Sequence, residues 1–153
     1  MLLPQLQIDP AAETERISEW LRATIGRTLR RKGAVVAMSG GVDSSVCAAL
    51  CVEALGADRV LGLFLPERDS SADTLPLSRR AAESLGIATE TEDITTLLEA
   101  AGCYRRQAEA VGQIIPGFES HWQFKMVLPS VVSDDSYRVF SIVAEKPDGE
   151  TVK

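Results

Sequence analysis

The sequence predicts an α/β fold. The expected form is a three-layer open parallel sheet with helices on both faces, Rossmann-like, followed by a less regular C-terminal segment. Three observations predict it. Ala34–Met38 and Arg59–Leu65 are short apolar runs, which suit strands buried on both faces of a parallel sheet. Segments of helical period separate them, so the order reads strand, helix, strand, helix, strand and implies right-handed crossovers. The length of 153 residues, with 45% hydrophobic and 25% charged residues, fits one domain over 1–153 with a real core.

Asp9-Pro10 opens the first helix, Asp9 as cap and Pro10 in the first turn. Ile17, Trp20, Leu21, Ile25 and Leu29 share one face, predicting an amphipathic helix on the sheet, stopped by Gly33. Arg27, Arg30, Arg31 and Lys32 make its end basic, either a solvated terminus or a patch for phosphate or an acidic partner. Strand one, Ala34–Met38, leads directly into Ser39-Gly40-Gly41-Val42-Asp43-Ser44-Ser45. Val46 to Leu55 is helical and apolar nearly all round, with Gly56 as stop. Strand two follows, then a polar loop from Pro66 to Asp73. Thr74 to Leu85 predicts a helix with Pro76 in its first turn and Gly86 as stop. Ile87 to Ile94 is the third strand. Thr95–Ala101 and Tyr104–Ile115 suit two short helices. Phe124–Val132 and Tyr137–Glu145 suit strands, and Pro147-Asp148-Gly149 is a turn before an interrupted returning element.

Charge and composition exclude several classes. The balance of 16 Lys+Arg against 22 Asp+Glu, −6 at pH 7, argues against nucleic acid as a partner. No apolar run approaches the ~20 residues of a membrane helix. The opening Met1-Leu2-Leu3-Pro4 has no basic region or long apolar stretch of a secretory signal. Three cysteines make a disulfide framework improbable and point to a cytoplasmic, reducing location. Cys47 and Cys51 read as small buried packing residues.

The chemistry sits in the Ser39–Ser45 loop, at the C-terminal end of a strand where open α/β sheets bind ligands. Gly40 and Gly41 permit positive φ and close approach of a ligand. Successive N–H groups and the helix N-terminus attract an anion. Ser39, Ser44 and Ser45 add hydroxyls. A carboxylate at Asp43 beside an anion needs a cation between them, and Mg²⁺ is the natural one. No Gly-Lys pair makes a Walker loop and no G-x-G-x-x-G occurs. Ala37-Met38-Ser39-Gly40-Gly41 also fits a variant nucleophile elbow with His121 as its histidine, but that leaves Asp43 and two serines without a role. Elsewhere, His121-Trp122 suits packing or a substrate contact. Tyr104-Arg105-Arg106 and Arg68 suit solvated charge or a dinucleotide phosphate.

Ser39-Gly40-Gly41-Val42-Asp43-Ser44 resembles the SGGxDS pyrophosphate loop of the N-type ATP pyrophosphatases. Val60–Ser71, with Pro66, Arg68, Ser70 and Ser71, is similar to the corresponding stretch of the NAD synthetase family, and Ser78–Ile87 and Glu92-Asp93-Ile94 continue the similarity. It covers residues 13–98 well. The resemblance implies ATP and Mg²⁺ as cofactors. The β- and γ-phosphates would lie on the N–H groups of Gly40, Gly41, Val42, Asp43 and Ser44 and on the hydroxyls of Ser39 and Ser44. Ser45 and Arg68 would lie nearby, Asp43 would hold Mg²⁺, and adenine would lie against the backbone of Phe64 and Leu65. It implies that the carboxylate of nicotinic acid adenine dinucleotide is adenylated and that ammonia then gives NAD, AMP and pyrophosphate. A homodimer, and free ammonia or a separate donor, follow from the same likeness. Residues 99–153 do not map onto the family's second half, so the chain is expected to be the N-terminal portion of a longer enzyme. Another amide-forming or thiolating member of the superfamily, such as GMP synthetase, and a non-catalytic ATP-binding fragment remain as alternatives.

Overall fold

The structure is a computed structural model that describes residues 7–119, 121–127 and 141–152. It divides into two compact units, residues 1–95 and 96–153.

The first unit begins with α1 (Pro10–Arg22). Asp9 caps it as expected, its Oδ1 accepting the N–H groups of Ala11 and Ala12 at 3.0 and 3.2 Å. The helix then widens into a π-helical turn, Ala23–Thr28, in which the Leu29 N–H donates to the Thr24 carbonyl. Two expectations change here. Trp20 and Leu29 are mostly exposed, and α1 packs on α2 (Val42–Leu55) rather than on the sheet. The Arg22 guanidinium donates to the carbonyls of Ala54 and Glu53 at the C-terminus of α2, so a cation meets the negative end of that helix. The helical segment also ends before Gly33, and Arg30 turns the chain with φ +51°. Gly33 serves another need: a Cβ there would lie 2.3 Å from the Arg59 carbonyl oxygen.

The sheet contains β1 (Ala34–Ala37), β2 (Val60–Phe64) and β3 (Ala88–Thr91), all parallel, in the order β1-β2-β3. A short 3-10 turn, Ala57–Arg59, precedes β2. The register pairs Ala34 with Val60 and Leu61 with Ala88. Only β2 is central. The prediction of a doubly buried β1 is therefore corrected: Val35 is 63% exposed, and exposure alternates along β1, Val35 and Ala37 pointing away from the face on which Val36 joins the core. β3 is exposed along its whole length.

Helix α2 packs on β1 and β2, and α3 (Thr74–Leu85) packs on α2 and β2. The core holds Met38, Ala48, Val60, Phe64, Ala82 and Ile87. α2 starts four residues earlier than the apolar pattern suggested, and it is not apolar and buried all round. Val42 and Val46 face solvent, and so does Cys47, against the expectation that it packs inside. α3 has the predicted bounds. Gly86 closes it with φ +65°, its N–H donating to the Glu83 carbonyl while the Ile87 N–H donates to that of Ala82.

α4 (Thr95–Ala100) runs across the boundary between the units. The second unit has α5 (Cys103–Ile114) and an antiparallel sheet of β4 (Gln123–Val127), β5 (Ser141–Glu145) and β6 (Thr151–Val152). The turn at Pro147-Asp148-Gly149 joins β5 to β6, with the Gly149 N–H donating to the Lys146 carbonyl. The strand predictions over 128–132 and 137–140 lie outside the described residues. Val111, Ile115 and Ala144 form the core of this unit. Phe118 meets Trp122 and Phe124 edge to face, with centroids 5.9 and 5.8 Å apart. The Lys146 ammonium sits 5.5 Å from the centre of the half-buried Trp122 ring.

Candidate functional site

The site is built where β1 and β2 end. β1 stops at Ala37, and Met38 stays in the ladder through its N–H, which donates to the Leu63 carbonyl at 2.9 Å. The chain then leaves the sheet. Gly40 makes the turn with φ +73°. A side chain could not follow it: a Cβ on Gly40 would meet Leu77 Cβ at 2.6 Å and the Ser78 nitrogen at 2.9 Å. The loop is thus pressed on the first turns of α3, and the glycine permits both the φ and the contact.

Hydroxyls brace the loop from within. Ser44 Oγ accepts the Ser39 N–H at 3.2 Å and lies 3.3 Å from Ser39 Oγ. The Gly41 carbonyl accepts from Ser44 Oγ at 3.2 Å and from Ser45 Oγ at 2.8 Å. The first amide of α2 to find a carbonyl is that of Ser45, which donates to Gly41. Among the described residues, the N–H groups of Gly40, Gly41, Val42, Asp43 and Ser44 have no hydrogen-bond partner. Five successive donors therefore lie free at the positive end of a 14-residue helix, which is an anion-binding arrangement without formal charge. Asp43 stands in the first helical turn and is exposed. Among the described residues no group of three or more His, Cys, Asp or Glu could enclose a metal. A lone exposed carboxylate beside an anion site fits Mg²⁺, which takes one or two carboxylates together with phosphate oxygens and keeps several waters.

Beside the loop is a cavity of about 210 Å³. Ala37 at the end of β1, with Met38 and Ser39 beyond it, forms one wall, and Leu63 and Phe64 of β2, with Leu65 and Pro66 beyond it, form another. Ser70, Thr74, Leu75 and Ser78 close it from the polar loop and α3. The polar loop is held in shape by the Glu67 N–H donating to Ser70 Oγ and the Ser70 N–H donating to the Glu67 carbonyl. Backbone parity decides what β2 presents here. Leu63 points its carbonyl toward β1, whereas Phe64 takes the Glu92 N–H from the opposite side. Leu65 therefore points back toward the β1 side, where the strand has ended. Its N–H and C=O have no partner among the described residues. At the end of β3, Asp93 accepts hydrogen bonds from the Thr95 side chain and backbone, which hold its carboxyl below the usual range.

Of the predicted site residues, Ser39 and Leu65 line the cavity, and Gly40 to Ser45 continue from Ser39. Arg68 does not line it and pairs with Asp69 at 3.1 Å. His121 lies 3.5 Å from Glu119 in the second unit, and the Ser39 hydroxyl has Ser44 as its neighbour. Nothing in these contacts supports the hydrolase elbow. Arg105 pairs with Glu109, and Arg106 donates to the Ala101 carbonyl. The sequence reading missed Thr74 and Ser78. Their signal was two polar residues four apart on the stripe of α3 that also carries Leu75, Ala82 and Leu85.

The NAD synthase family profile matches residues 13–114. This chain belongs to the NAD synthase family. Within it, the chain is 46% identical over 145 residues to an NH3-dependent NAD+ synthetase of Mesorhizobium japonicum, covering 95% of this chain and 46% of that protein. The fold is similar to that of an NH3-dependent NAD synthetase from Campylobacter jejuni, with TM-score 0.56, 26% identity, and 67% of this chain and 42% of that one covered. It is also similar to an NMN synthetase from Francisella tularensis, with TM-score 0.58, 25% identity, and 66% and 41% covered. The chain spans a little under half the length of the curated NAD synthase relatives it matches. No helix among the described residues is long and apolar enough to cross a membrane.

Proposed function

We propose that this chain is the ATP-binding part of an ammonia-dependent NAD synthetase. The observation that carries the reading is the run of unpaired amides from Gly40 to Ser44 at the start of α2. These donors take the β- and γ-phosphates of ATP, and Asp43 holds Mg²⁺ against them. The cavity is smaller than the ~300–1,000 Å³ of whole small-molecule sites, so it takes the base while the triphosphate lies outside on the loop. Adenine presents an acceptor beside a donor, which matches the free N–H and C=O of Leu65.

In the reaction, the carboxylate of nicotinic acid adenine dinucleotide attacks the α-phosphate, and pyrophosphate leaves. Ammonia then displaces AMP from the acyl adenylate to give the amide. The amides stabilise charge that moves onto the leaving pyrophosphate and transfer no proton themselves. The resemblance also supports a homodimer, which light scattering tests. The three free cysteines suit the reducing cytoplasm.

Calorimetric titration with MgATP tests the site. Binding is expected for the native chain, and Asp43→Asn is expected to lose most of its dependence on Mg²⁺. A native chain that binds no MgATP would refute the reading. With ammonia and nicotinic acid adenine dinucleotide added, AMP release supports the full reaction, whereas ATP binding without AMP supports a binding role alone.

A further inference from the structure

Ser78 is one of two buried polar residues in the described chain, at 1% exposure. Its hydroxyl oxygen lies 2.8 Å from the Thr74 carbonyl oxygen and 3.1 Å from that of Met38, so its one proton is shared between two acceptors. The Thr74 contact is the ordinary local bond of a helical serine to the carbonyl four residues back, and it alone satisfies the hydroxyl. The Met38 contact reaches across to another element.

Its meaning follows from the ladder. In a parallel pair, a residue whose N–H bonds to position j−1 of the neighbour offers its C=O to the N–H of position j+1. The Met38 N–H donates to Leu63. The ladder partner of the Met38 C=O is therefore the N–H of Leu65. That bond is absent, and the Met38 C=O takes the Ser78 hydroxyl instead. Leu65 lines the cavity with its N–H unpaired. Met38 is itself buried at 4% exposure.

We propose that Ser78 is a positioning residue for the base half of the nucleotide site. Its hydroxyl draws the Met38 carbonyl out of the β1–β2 ladder and so keeps the Leu65 N–H open to a heteroaromatic acceptor in the cavity. The inference rests on the ATP-binding reading for the ligand's name, but not for the geometry. In Ser78→Ala the Met38 carbonyl loses its partner, and the donor the ladder register offers it is the Leu65 N–H. The ladder extends by one bond and the base loses its donor. The loop amides are untouched.

Two probes separate this from a general structural role: MgATP, which uses base and phosphates, and Mg-tripolyphosphate, which uses the phosphate loop alone. Ser78→Ala is expected to raise the Kd for MgATP about three- to tenfold, the weight of one hydrogen bond, with tripolyphosphate affinity within about twofold of native. Ser78→Thr keeps the hydroxyl and is expected to restore the native ratio of the two affinities. Equal weakening for both probes, or no change for MgATP, would overturn the proposal. Hydrogen exchange on the native chain gives a test that needs no variant. The Leu65 amide is expected to exchange far faster than that of Leu63, and a protected Leu65 amide would overturn the proposal. If the native chain binds tripolyphosphate but not MgATP, the ATP reading fails while the exchange result still judges Ser78.

Discussion

Replacing Gly40 by alanine tests how the loop is held. Two costs add. At φ +73° an alanine adopts the left-handed region at about 1–2 kcal/mol. The new Cβ also meets Leu77 Cβ at 2.6 Å, the Ser78 nitrogen at 2.9 Å and the Thr74 oxygen at 3.0 Å. Two of these are backbone atoms of α3 and cannot swing aside, so overpacking adds roughly 1–3 kcal/mol. The sum is about 2–5 kcal/mol, a large share of the ~5–15 kcal/mol that holds a domain together. Gly86→Ala is the control: Gly86 is left-handed at φ +65° and ψ 27°, and nothing lies within 4 Å of an added Cβ. It should lose only the backbone part, about 1–2 kcal/mol. Urea unfolding of the three proteins at one temperature gives the comparison, the midpoint of Gly40→Ala falling well below that of Gly86→Ala. The folded fraction of Gly40→Ala should bind MgATP weakly, and Gly86→Ala should bind it like the native chain. If the two variants are equally stable, the close seating of the loop on α3 is refuted.

Three further outcomes are expected. Ser18 is buried at 1% exposure and its hydroxyl has no partner among the described residues, so Ser18→Ala should stabilise the chain by about 1 kcal/mol and raise Tm by roughly 3 °C; a lower Tm in calorimetry counts against this. The Asp93 carboxyl is held low by Thr95. Its contribution to stability is complete above the unfolded value near 3.8 and is lost as pH falls through the lower folded value. Asp93→Asn should therefore lose stability relative to native at pH 6 and converge with it in strong acid, followed by Tm against pH. Burial, and then the neighbouring Cys47, push the Cys51 thiol up, while Cys47 is exposed. Iodoacetamide at pH 8 should therefore alkylate Cys47 well before Cys51, as peptide mass mapping would reveal.

The elements that repeat a strong period were legible in the sequence. α3 carried its own punctuation in Pro76 and Gly86, and the Ser39–Ser45 loop lay between a strand and a helix as its composition required. What could not be read was set by tertiary neighbours. The hydrophobic run of β1 looks the same for a strand covered on one face as for one covered on both, so the exposure of Val35 had no local signal. Leu29 fits the helical stripe by spacing, yet the π-helical turn at Ala23–Thr28 before it changes which residues share a face. Within the site, the roles of loop serines depend on partners. Spacing offers Ser44 as a phosphate ligand, whereas its hydroxyl here closes the loop on Ser39 and Gly41. Ser78 was invisible as a site residue because its role comes from a carbonyl 40 positions away.

The two tryptophans of the chain fall one to each unit. Trp20 is 60% exposed on α1, whereas Trp122 is packed by Phe118 and touched by the Lys146 ammonium. Intrinsic fluorescence is therefore a built-in pair of reporters with distinct emission maxima. Trp20→Phe leaves a lamp that follows the C-terminal unit alone, and Trp122→Phe leaves one for the N-terminal unit. Whether the halves melt together or in succession can be read without attaching any dye.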